Sequence, residues 1–443
     1  MSHVRFSHTV PTGLSHAWAL HERAGIVARL TPGFTRWKVR QQAENLKDGT
    51  TIFDLPGGLT WVGTHVPQDF VPQRRFTDTC STNSTTGLNT ITGWTHVHEF
   101  SGDADQTTIT DTVHTNAPEF VARRMLSPVF AYRQNQLLQD VHALQRAAAW
   151  NGESQTIAVT GADGLVGTQL TALLQLAGHT VKKLSRSTNW DPENPDPQLL
   201  EGVDTLIHLA GHPIAGRFTE EHVAKVRDSR VGPTRKLAEL VARTDSVSTF
   251  VCASAVGFYG HSQSTPATEE HGQGEGILGS VVAQWEKATA PAEQAGKRVV
   301  RVRSGLVLAG GSPMLDLLTA NVRAGGGRLG DGTQHMAWIA LDDVVDIYHR
   351  AAMDPQVTGA VNAVAPGIAT NAEFTRTLAD VGGGAPLVPV PKVAPSVLLG
   401  GDGARELALA DQNIVPSVLS GLGHHFRYPR LEDALRHELG KKA

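Results

Sequence analysis

Three glycines at regular spacing offer the clearest chemistry in this sequence. Gly161, Gly164 and Gly167 follow the β-rich run 156–160 and precede a stretch of helical character, 168–176. In a strand–turn–helix, such glycines permit a tight turn, let a phosphate approach the backbone and let the helix pack on the strand. The helix N-terminus then offers free N–H groups and a positive dipole end to a pyrophosphate. The residues predicted to line this dinucleotide site are Gly161, Gly164, Leu165, Val166 and Gly167.

The end of the next predicted strand bears on which dinucleotide is bound. This strand, 181–184, is followed by Ser185, Arg186 and Ser187. An NAD site usually has an acidic residue here, which accepts a hydrogen bond from the ribose 2′-OH. Arg186 can instead pair bidentately with a 2′-phosphate, and the two serine hydroxyls add donors. The sequence therefore favours NADP(H) over NAD, with a solvent-exposed Arg186 as the alternative.

The elements that must position these residues alternate between apolar strands and helices. Strand-like runs lie at 156–160, 203–208, 249–254 and 298–303. Alternation of this kind is typical of an α/β fold with a doubly wound, Rossmann-type parallel sheet. The run 203–208 ends in Leu209, Ala210 and Gly211, and small residues there let the adenosine half of a cofactor lie against the backbone. We predict that these three residues also contact the cofactor.

The first 148 residues differ in character, because several strand-like stretches precede one long helical stretch. The predicted strands are Thr50–Leu55, Leu59–His65, Arg75–Cys80, Thr92–Phe100 and Gln106–His114. One helix is predicted over Gly13–Arg23 and a longer one after Pro118. This order resembles the START-like, polyketide-cyclase-type ligand-binding superfamily. The resemblance implies an α+β helix-grip fold with an apolar ligand cavity between sheet and helix; aromatic side chains that simply fill a core are the alternative.

The region from residue 155 onwards resembles the extended short-chain dehydrogenase/reductase superfamily, and within it the epimerase family named by analogy with nucleotide-sugar epimerases. The stretches that carry this resemblance are 208–214, 227–230, 254–260, 285–286, 303–308, 338–343, 365–374 and 426–429. The resemblance implies a smaller C-terminal lobe that holds the substrate. It also implies that Arg230 reaches the cofactor and that Val307 lines its nicotinamide side.

The predicted domains follow from these two resemblances. A START-like domain occupies residues 1–148, and residues 149–154 form a linker. The NADP-binding Rossmann domain spans 155–310, and a C-terminal substrate lobe, interleaved with the Rossmann sheet, spans 311–443.

The usual catalyst of this superfamily, Tyr-x-x-x-Lys, is missing from the sequence. None of the four tyrosines has a lysine four positions later, and the expected positions hold Leu278 and Val282. A dehydrogenase of this kind uses the tyrosine as its general acid and base. The substrate, a water or another side chain would then supply the proton, and the predicted catalytic residues are Ser254, Tyr259 and Gln334. Asp343 is a further candidate, although an aspartate there is also a good helix N-cap.

Three functions remain open at this point. The first is an NADP(H)-dependent oxidoreductase or isomerase that acts on a small substrate through a non-standard site. The second is an NADP(H)-responsive binding protein without turnover. The third is a carrier of an apolar ligand, in which the START-like domain does the work and the nucleotide site is regulatory.

Composition excludes several other classes of function. The chain of 443 residues has 39 basic and 43 acidic residues, a balance that gives no electrostatic footprint for nucleic acid or an anionic membrane. No signal peptide or membrane span is predicted, and two distant cysteines fit a reducing, cytoplasmic setting. Oligomeric state is left open. His96-x-His98 and the pair His424 and His425 invite a metal interpretation, but no carboxylate or cysteine lies at ligand spacing along the chain, so no metal site is predicted.

Overall fold

The computed structural model describes residues 2–80, 93–150, 153–185, 188 and 190–441. The chain divides into two compact units. The first comprises Met1–Ala148, Ala172–Gly178 and His437–Ala443, and the second comprises Ala149–Thr171 and His179–Arg436. Among the described residues, no helix combines the length and apolar character needed to cross a bilayer.

One antiparallel sheet of seven strands dominates the first unit. Its strands are β1 Ser2–Val10, β2 Lys38–Gln41, β3 Thr50–Leu55, β4 Leu59–His65, β5 Arg75–Cys80, β6 Thr95–Gly102 and β7 Thr107–Thr115. They lie in the order β1-β7-β6-β5-β4-β3-β2. The helices of this unit are α1 Leu14–Glu22, α2 Ile26–Arg29 and α3 Glu119–Ala147.

The inner face of this sheet carries the aromatic core of the first unit. The indole of Trp18, on α1, lies edge-on to the rings of Phe76 and Phe100, with centroids 6.0 and 5.2 Å apart. Leu137 and Val141 of α3 belong to the same buried cluster. On β6 the alternate residues His96, His98 and Phe100 are all buried, as one face of a strand that packs on a core. At the start of α3, Phe120 and Met125 are exposed.

A six-stranded parallel sheet organises the second unit. Its strands are β8 Thr156–Thr160, β9 Thr180–Leu184, β10 Thr205–His208, β11 Thr249–Ala255, β13 Arg298–Ser304 and β18 Gly359–Ala363. The sheet order is β18-β13-β11-β10-β8-β9, and every neighbouring pair is parallel. The predicted Rossmann-like α/β fold with a parallel sheet is therefore confirmed. The chain enters on β8, moves outward to β9 and then crosses to the other side of β8, so the topological switch point lies between β8 and β10.

Shorter elements complete the second unit. The further strands are β12 Ser262–Ala267, β14 Leu306–Leu308, β15 Gly326–Leu329, β16 His335–Met336, β17 Trp338–Ala340, β19 Ala369–Thr370, β20 Val388–Val390 and β21 Asp411–Ile414. The helices are α4 Leu165–Leu176, α5 Glu220–Ala242, α6 Ile277–Lys287, α7 Ala290–Gln294, α8 Pro313–Arg323, α9 Leu341–Met353, α10 Asn371–Gly382, α11 Ala394–Gly403, α12 Ser417–Gly421 and α13 Leu431–Glu438. Residues 172–176 of α4 and 437–438 of α13 are assigned to the first unit.

Candidate functional site

The glycine-rich turn lies at the switch point, at the carboxyl end of β8. Gly161 follows directly, with φ at +68°, a left-handed conformation that side chains disfavour. The Gly164 N–H donates to the Gly161 carbonyl at 3.0 Å, and α4 then begins at Leu165 with Val166 behind it. The turn therefore presents a helix N-terminus at the crevice where open α/β sheets bind ligands.

Two of the glycines are required by close approach. A Cβ at Gly161 would lie 2.9 Å from the Ala210 nitrogen, and one at Gly167 would lie 2.1 Å from the Gly161 carbonyl oxygen. Neither position can hold a side chain without moving backbone. The turn after β8 is thereby brought against the end of β10, which unites two segments that the sequence predicted separately, and the resulting backbone cradle fits a dinucleotide pyrophosphate.

Thr160 joins these two segments, and sequence reasoning missed it. Its Oγ1 accepts hydrogen bonds from the backbone N–H groups of Leu209 at 3.2 Å and Ala210 at 3.3 Å. The same oxygen lies 2.6 Å from Nδ1 of His208, whose pKa burial lowers to about 3. His208 is therefore neutral at physiological pH. A threonine inside an apolar strand gives no signal of this role in the sequence.

The end of β9 is described only in part. Ser185 is half-buried, and its backbone N–H donates to the Thr188 hydroxyl at 2.9 Å. Arg186 and Ser187, the other residues predicted to select the nucleotide, lie outside the described residues. Their role in binding a 2′-phosphate stays a prediction.

Arg230, which the family resemblance implies reaches the cofactor, lies beside Gly211. A Cβ at Gly211 would be 2.9 Å from the guanidinium carbon of Arg230. Nη1 donates to the His212 carbonyl at 2.6 Å, and the guanidinium lies 5.0 Å from the Trp285 ring centroid. Its Nε is buried and has no hydrogen-bond partner within the described part of the chain. Burial lowers the pKa of Arg230 to about 10, so it stays a cation with one donor uncommitted.

Ser254 and Tyr259 are committed to a buried polar network. The Ser254 hydroxyl donates to Glu286 at 2.5 Å, and Glu286 pairs with Arg303 through two contacts of 2.8 Å. Arg303 also donates to the Tyr259 hydroxyl at 2.8 Å, and that hydroxyl donates to Asn362 at 2.7 Å. Burial raises the pKa of Tyr259. Both hydroxyls therefore already have hydrogen-bond partners within the protein.

Leu278 and Val282, at the positions where the superfamily carries its tyrosine and lysine, are buried on α6. A Cβ at Gly257 would lie 3.3 Å from the Leu278 Cβ and 3.8 Å from Val282 Cγ2. The wall that would hold a proton donor is thus apolar and closely packed.

The remaining predicted residues lie in the C-terminal part of the second unit. Val307 is central in β14, opposite Ile339 of β17. Gln334 is buried, and its Nε2 donates to the Leu329 carbonyl at 3.4 Å.

The predicted capping role of Asp343 is wrong for its own helix. α9 has Ala340 at its N-cap, and the Asp343 carboxylate accepts the backbone N–H groups of Arg427 at 2.5 Å and Tyr428 at 3.1 Å. Burial, together with neighbouring Asp346, raises the pKa of Asp343 to about 7. The carboxylate therefore binds the backbone of a segment that is distant in sequence and returns to α9.

In the first unit, the two histidines of β6 have carboxylate partners that spacing along the chain did not reveal. Asp78 stands opposite His96 on β5, and Asp111 stands opposite His98 on β7. Burial lowers the pKa of His96, but hydrogen bonds to Asp111 and Asp78 outweigh that effect and raise it to about 9. Burial acts in the opposite sense on both carboxyl groups, whose pKa values the two histidines nevertheless hold below the usual range.

Two family models match the sequence, mainly in the second unit. Residues 157–364 match the NAD dependent epimerase/dehydratase family, and residues 390–438 match a domain of unknown function, DUF1731. An epimerase family protein of Mycobacterium tuberculosis is 38% identical over 293 residues, which are 63% of this chain and 96% of that relative.

Two solved structures extend the comparison. The crystal structure of a nucleoside-diphosphate sugar epimerase from Corynebacterium glutamicum is 43% identical, with a TM-score of 0.87 over 99% of this chain and 90% of that one. The crystal structure of the human epimerase family protein SDR39U1 with NADPH is 28% identical, with a TM-score of 0.59 over 64% of this chain and 99% of that one. The first similarity covers both units, and the second covers 64% of the chain.

Proposed function

Since this chain belongs to the NAD dependent epimerase/dehydratase family, we propose that it binds NADPH at the Gly161–Gly167 turn and acts as an oxidoreductase or isomerase on a small substrate. The observation that carries the proposal is the close approach of this turn to Ala210, which leaves backbone where a side chain would clash. The N-terminus of α4 would hold the pyrophosphate.

The choice of NADPH over NADH has two supports. One is the Ser185–Ser187 sequence at the end of β9, where an arginine stands in place of the acid that an NAD site uses. The other is the human relative SDR39U1, whose structure was solved with NADPH. Arg230 adds a cation beside Gly211, and its Nε, which has no hydrogen-bond partner among the described residues, is suited to a phosphate or ribose oxygen.

The cofactor and the protein would supply different parts of the reaction. When bound, NADPH supplies a hydride equivalent. The chain must position the substrate and deliver a proton without the usual dyad, since Leu278 and Val282 cannot ionise. The contacts of Ser254 and Tyr259 favour a positioning role, in which they hold the end of β11. Gln334 can orient a substrate oxygen but cannot protonate it, so the substrate itself or a water would supply the proton.

A binding protein without turnover is the second candidate. The apolar packing of Leu278 and Val282 against Gly257 supports it, because this wall offers no acid or base. The nucleotide turn would then report the NADPH level rather than feed a reaction.

For the first unit we propose the START-like, helix-grip identity. Its seven-stranded antiparallel sheet and the 29-residue helix α3 support this proposal. The tight packing of Trp18, Phe76 and Phe100 argues against a large apolar cavity at that end of the sheet. A carrier of an apolar ligand is therefore the least favoured of the three functions.

Deuteride transfer tests the oxidoreductase proposal. Purified protein is incubated with NADPH deuterated at C4 and with aldehydes, ketones and nucleotide sugars in turn, and products are examined by mass spectrometry. We expect deuterium in the product of at least one substrate class. Saturable NADPH binding without deuterium transfer to any substrate would contradict the oxidoreductase proposal and favour the binding protein.

A further inference from the structure

Four ionisable side chains meet on the inner face of the first unit, well away along the chain from the nucleotide-binding turn. Asp78, His96, His98 and Asp111 come from three neighbouring strands, β5, β6 and β7. Their side chains are 19%, 8%, 6% and 6% exposed, in that order. Ionisable groups are rarely buried together unless they compensate one another or hold a cation.

The four side chains form a closed ring of contacts. Asp111 Oδ1 lies 2.9 Å from His96 Nε2 and 3.0 Å from His98 Nδ1. Asp78 Oδ2 lies 3.4 Å from His96 Nδ1 and 3.3 Å from His98 Nε2. Each imidazole therefore lies closer to Asp111 and turns its other nitrogen toward Asp78.

Asp111 fixes the tautomer of each ring through these shorter contacts. A carboxylate only accepts, so it favours protons on His96 Nε2 and His98 Nδ1. When both imidazoles are neutral, as metal binding requires, the lone pairs remain on His96 Nδ1 and His98 Nε2, the two nitrogens that face Asp78. A carboxylate that receives the distal N–H of a ligating histidine is a common support of metal sites. We propose that Asp78 Oδ2, His96 Nδ1 and His98 Nε2 bind a divalent transition-metal ion, with Asp111 orienting both imidazoles.

The spacing of the three ligand atoms suits such an ion. They lie within 4.8 Å of one another. Metal–nitrogen and metal–oxygen bonds of about 2.0–2.1 Å at tetrahedral angles put neighbouring ligand atoms about 3.4 Å apart. The two contacts of Asp78 already have this length, at 3.4 and 3.3 Å. An ion can enter by small rotations of side chains.

The ligand set also identifies the class of ion. Two imidazoles and one carboxylate suit Zn²⁺, Fe²⁺ or Co²⁺, whereas Mg²⁺ and Ca²⁺ prefer oxygen ligands. Three protein ligands leave at least one coordination position for water or a ligand oxygen, as in catalytic rather than structural sites. With neutral imidazoles, the charges of Asp78 and Asp111 balance a divalent ion.

The surroundings are aromatic, with one further base. The Phe76 ring stacks on His98 with centroids 4.0 Å apart, and Phe130 of α3 stands edge-on to His96 at 5.4 Å. His8 of β1 has both ring nitrogens shielded from solvent, with no hydrogen-bond partner among the described residues. Burial lowers the pKa of His8, and the charge of Asp111 opposes this effect only in part.

The competing arrangement is a ring of two imidazolium and two carboxylate ions, which has the same net charge without a metal. Cobalt titration of the full chain separates the two. Chelator-treated protein is titrated with Co²⁺ while its visible d–d absorption is followed, and Zn²⁺ is then added. We expect one equivalent of Co²⁺ with the intense bands of a four- or five-coordinate site, displaced by Zn²⁺. Absence of a stoichiometric Co²⁺ band in the wild-type chain would overturn the proposal.

Variants locate the site. Asp78→Asn keeps the shape but removes the charged ligand, and Asp111→Asn removes the acceptor that orients both rings; we expect each to weaken Co²⁺ binding by roughly 10- to 100-fold. His3 and His114, a cross-strand pair on the outer face of the same sheet, provide the control. The double change His3→Gln, His114→Gln should leave affinity unchanged. Loss of Co²⁺ binding in this control, or its retention in folded Asp78→Asn, would contradict the assignment.

Discussion

At the Gly161–Gly167 turn the candidate ligand-binding groups belong to the backbone, and the Asp163 side chain is 77% exposed, whereas around Ser254 the polar side chains hydrogen-bond to one another. A Cβ at Gly161 or Gly167 would clash with backbone, so the turn leads into the N-terminus of α4 only with glycine at these positions. Around Ser254, the serine hydroxyl donates a hydrogen bond to Glu286, which also accepts one from Arg303. The turn therefore leaves backbone groups for a nucleotide, whereas the side chains around Ser254 already have partners within the protein.

This contrast explains how a member of this family can keep its cofactor site although the usual Tyr-x-x-x-Lys catalyst is absent. Nucleotide binding at the turn depends on backbone shape, which the glycines secure. The catalytic dyad depends on two side-chain types on one helix, and those positions, Leu278 and Val282, pack as core. Losing the dyad therefore leaves the turn intact.

The largest effect is expected from breaking the side-chain network. In Glu286→Gln, the buried Arg303 loses its anionic partner, and we expect the free energy of unfolding to fall by about 3–5 kcal/mol. Chemical denaturation measures this. Glu293→Gln is the matched control, because Glu293 is 52% exposed in its pair with Arg301 and should contribute at most about 1 kcal/mol. Equal losses in the two variants would contradict the structural role of the network.

A smaller effect, on binding rather than stability, is expected at the turn. In Gly167→Ala the new Cβ would lie 2.1 Å from the Gly161 carbonyl oxygen, so the turn must move. Overpacking of this kind costs about 1–3 kcal/mol, which corresponds to a loss of roughly 5- to 150-fold in NADPH affinity.

Calorimetric titration with NADPH gives the measurement. Gly232→Ala, within α5 and with nothing near its added Cβ, serves as control and should keep full affinity. Unchanged affinity in Gly167→Ala would mean that the nucleotide does not rest on this turn.

The smallest effect is expected at Tyr259. Tyr259→Phe removes a hydroxyl that lies between Arg303 and Asn362, and we expect a loss of about 1–2 kcal/mol in unfolding free energy. NADPH affinity and any turnover should change little. If Tyr259 instead delivers the proton, turnover would drop by about 10²- to 10⁴-fold. That result would contradict the structural role of the side chains around Ser254.

Local pattern predicted much of the fold. The strands Thr50–Leu55, Leu59–His65 and Arg75–Cys80 have the predicted bounds, since each shows strand-like composition with turn residues at its ends. β1 was missed because its inward positions include Ser2 and His8, which hide the alternation. β6 begins at Thr95 rather than at the predicted Thr92, which lies outside the described residues.

A site was predictable from the sequence only where its residues are contiguous along the chain. The Gly161–Gly167 turn is one continuous stretch with a chemical signature. The partners of His96 and His98 come from other strands, and only strand register places Asp78 and Asp111 opposite them. Between β9 and β10, the described residues of 185–204 include no strand, so the sheet ends at β9 rather than at the third strand of the usual Rossmann order.

The central claim, an NADPH site at the Gly161–Gly167 turn, is tested most directly by comparing NADPH and NADH affinities of the wild-type chain and Arg186→Ala. Arg235→Ala, an exposed arginine of α5, is the control. We expect the wild-type chain and Arg235→Ala to bind NADPH at least about tenfold more tightly than NADH, a difference of about 1.4 kcal/mol, and we expect Arg186→Ala to lose this preference. Equal affinities for both nucleotides in the wild-type chain would contradict that claim.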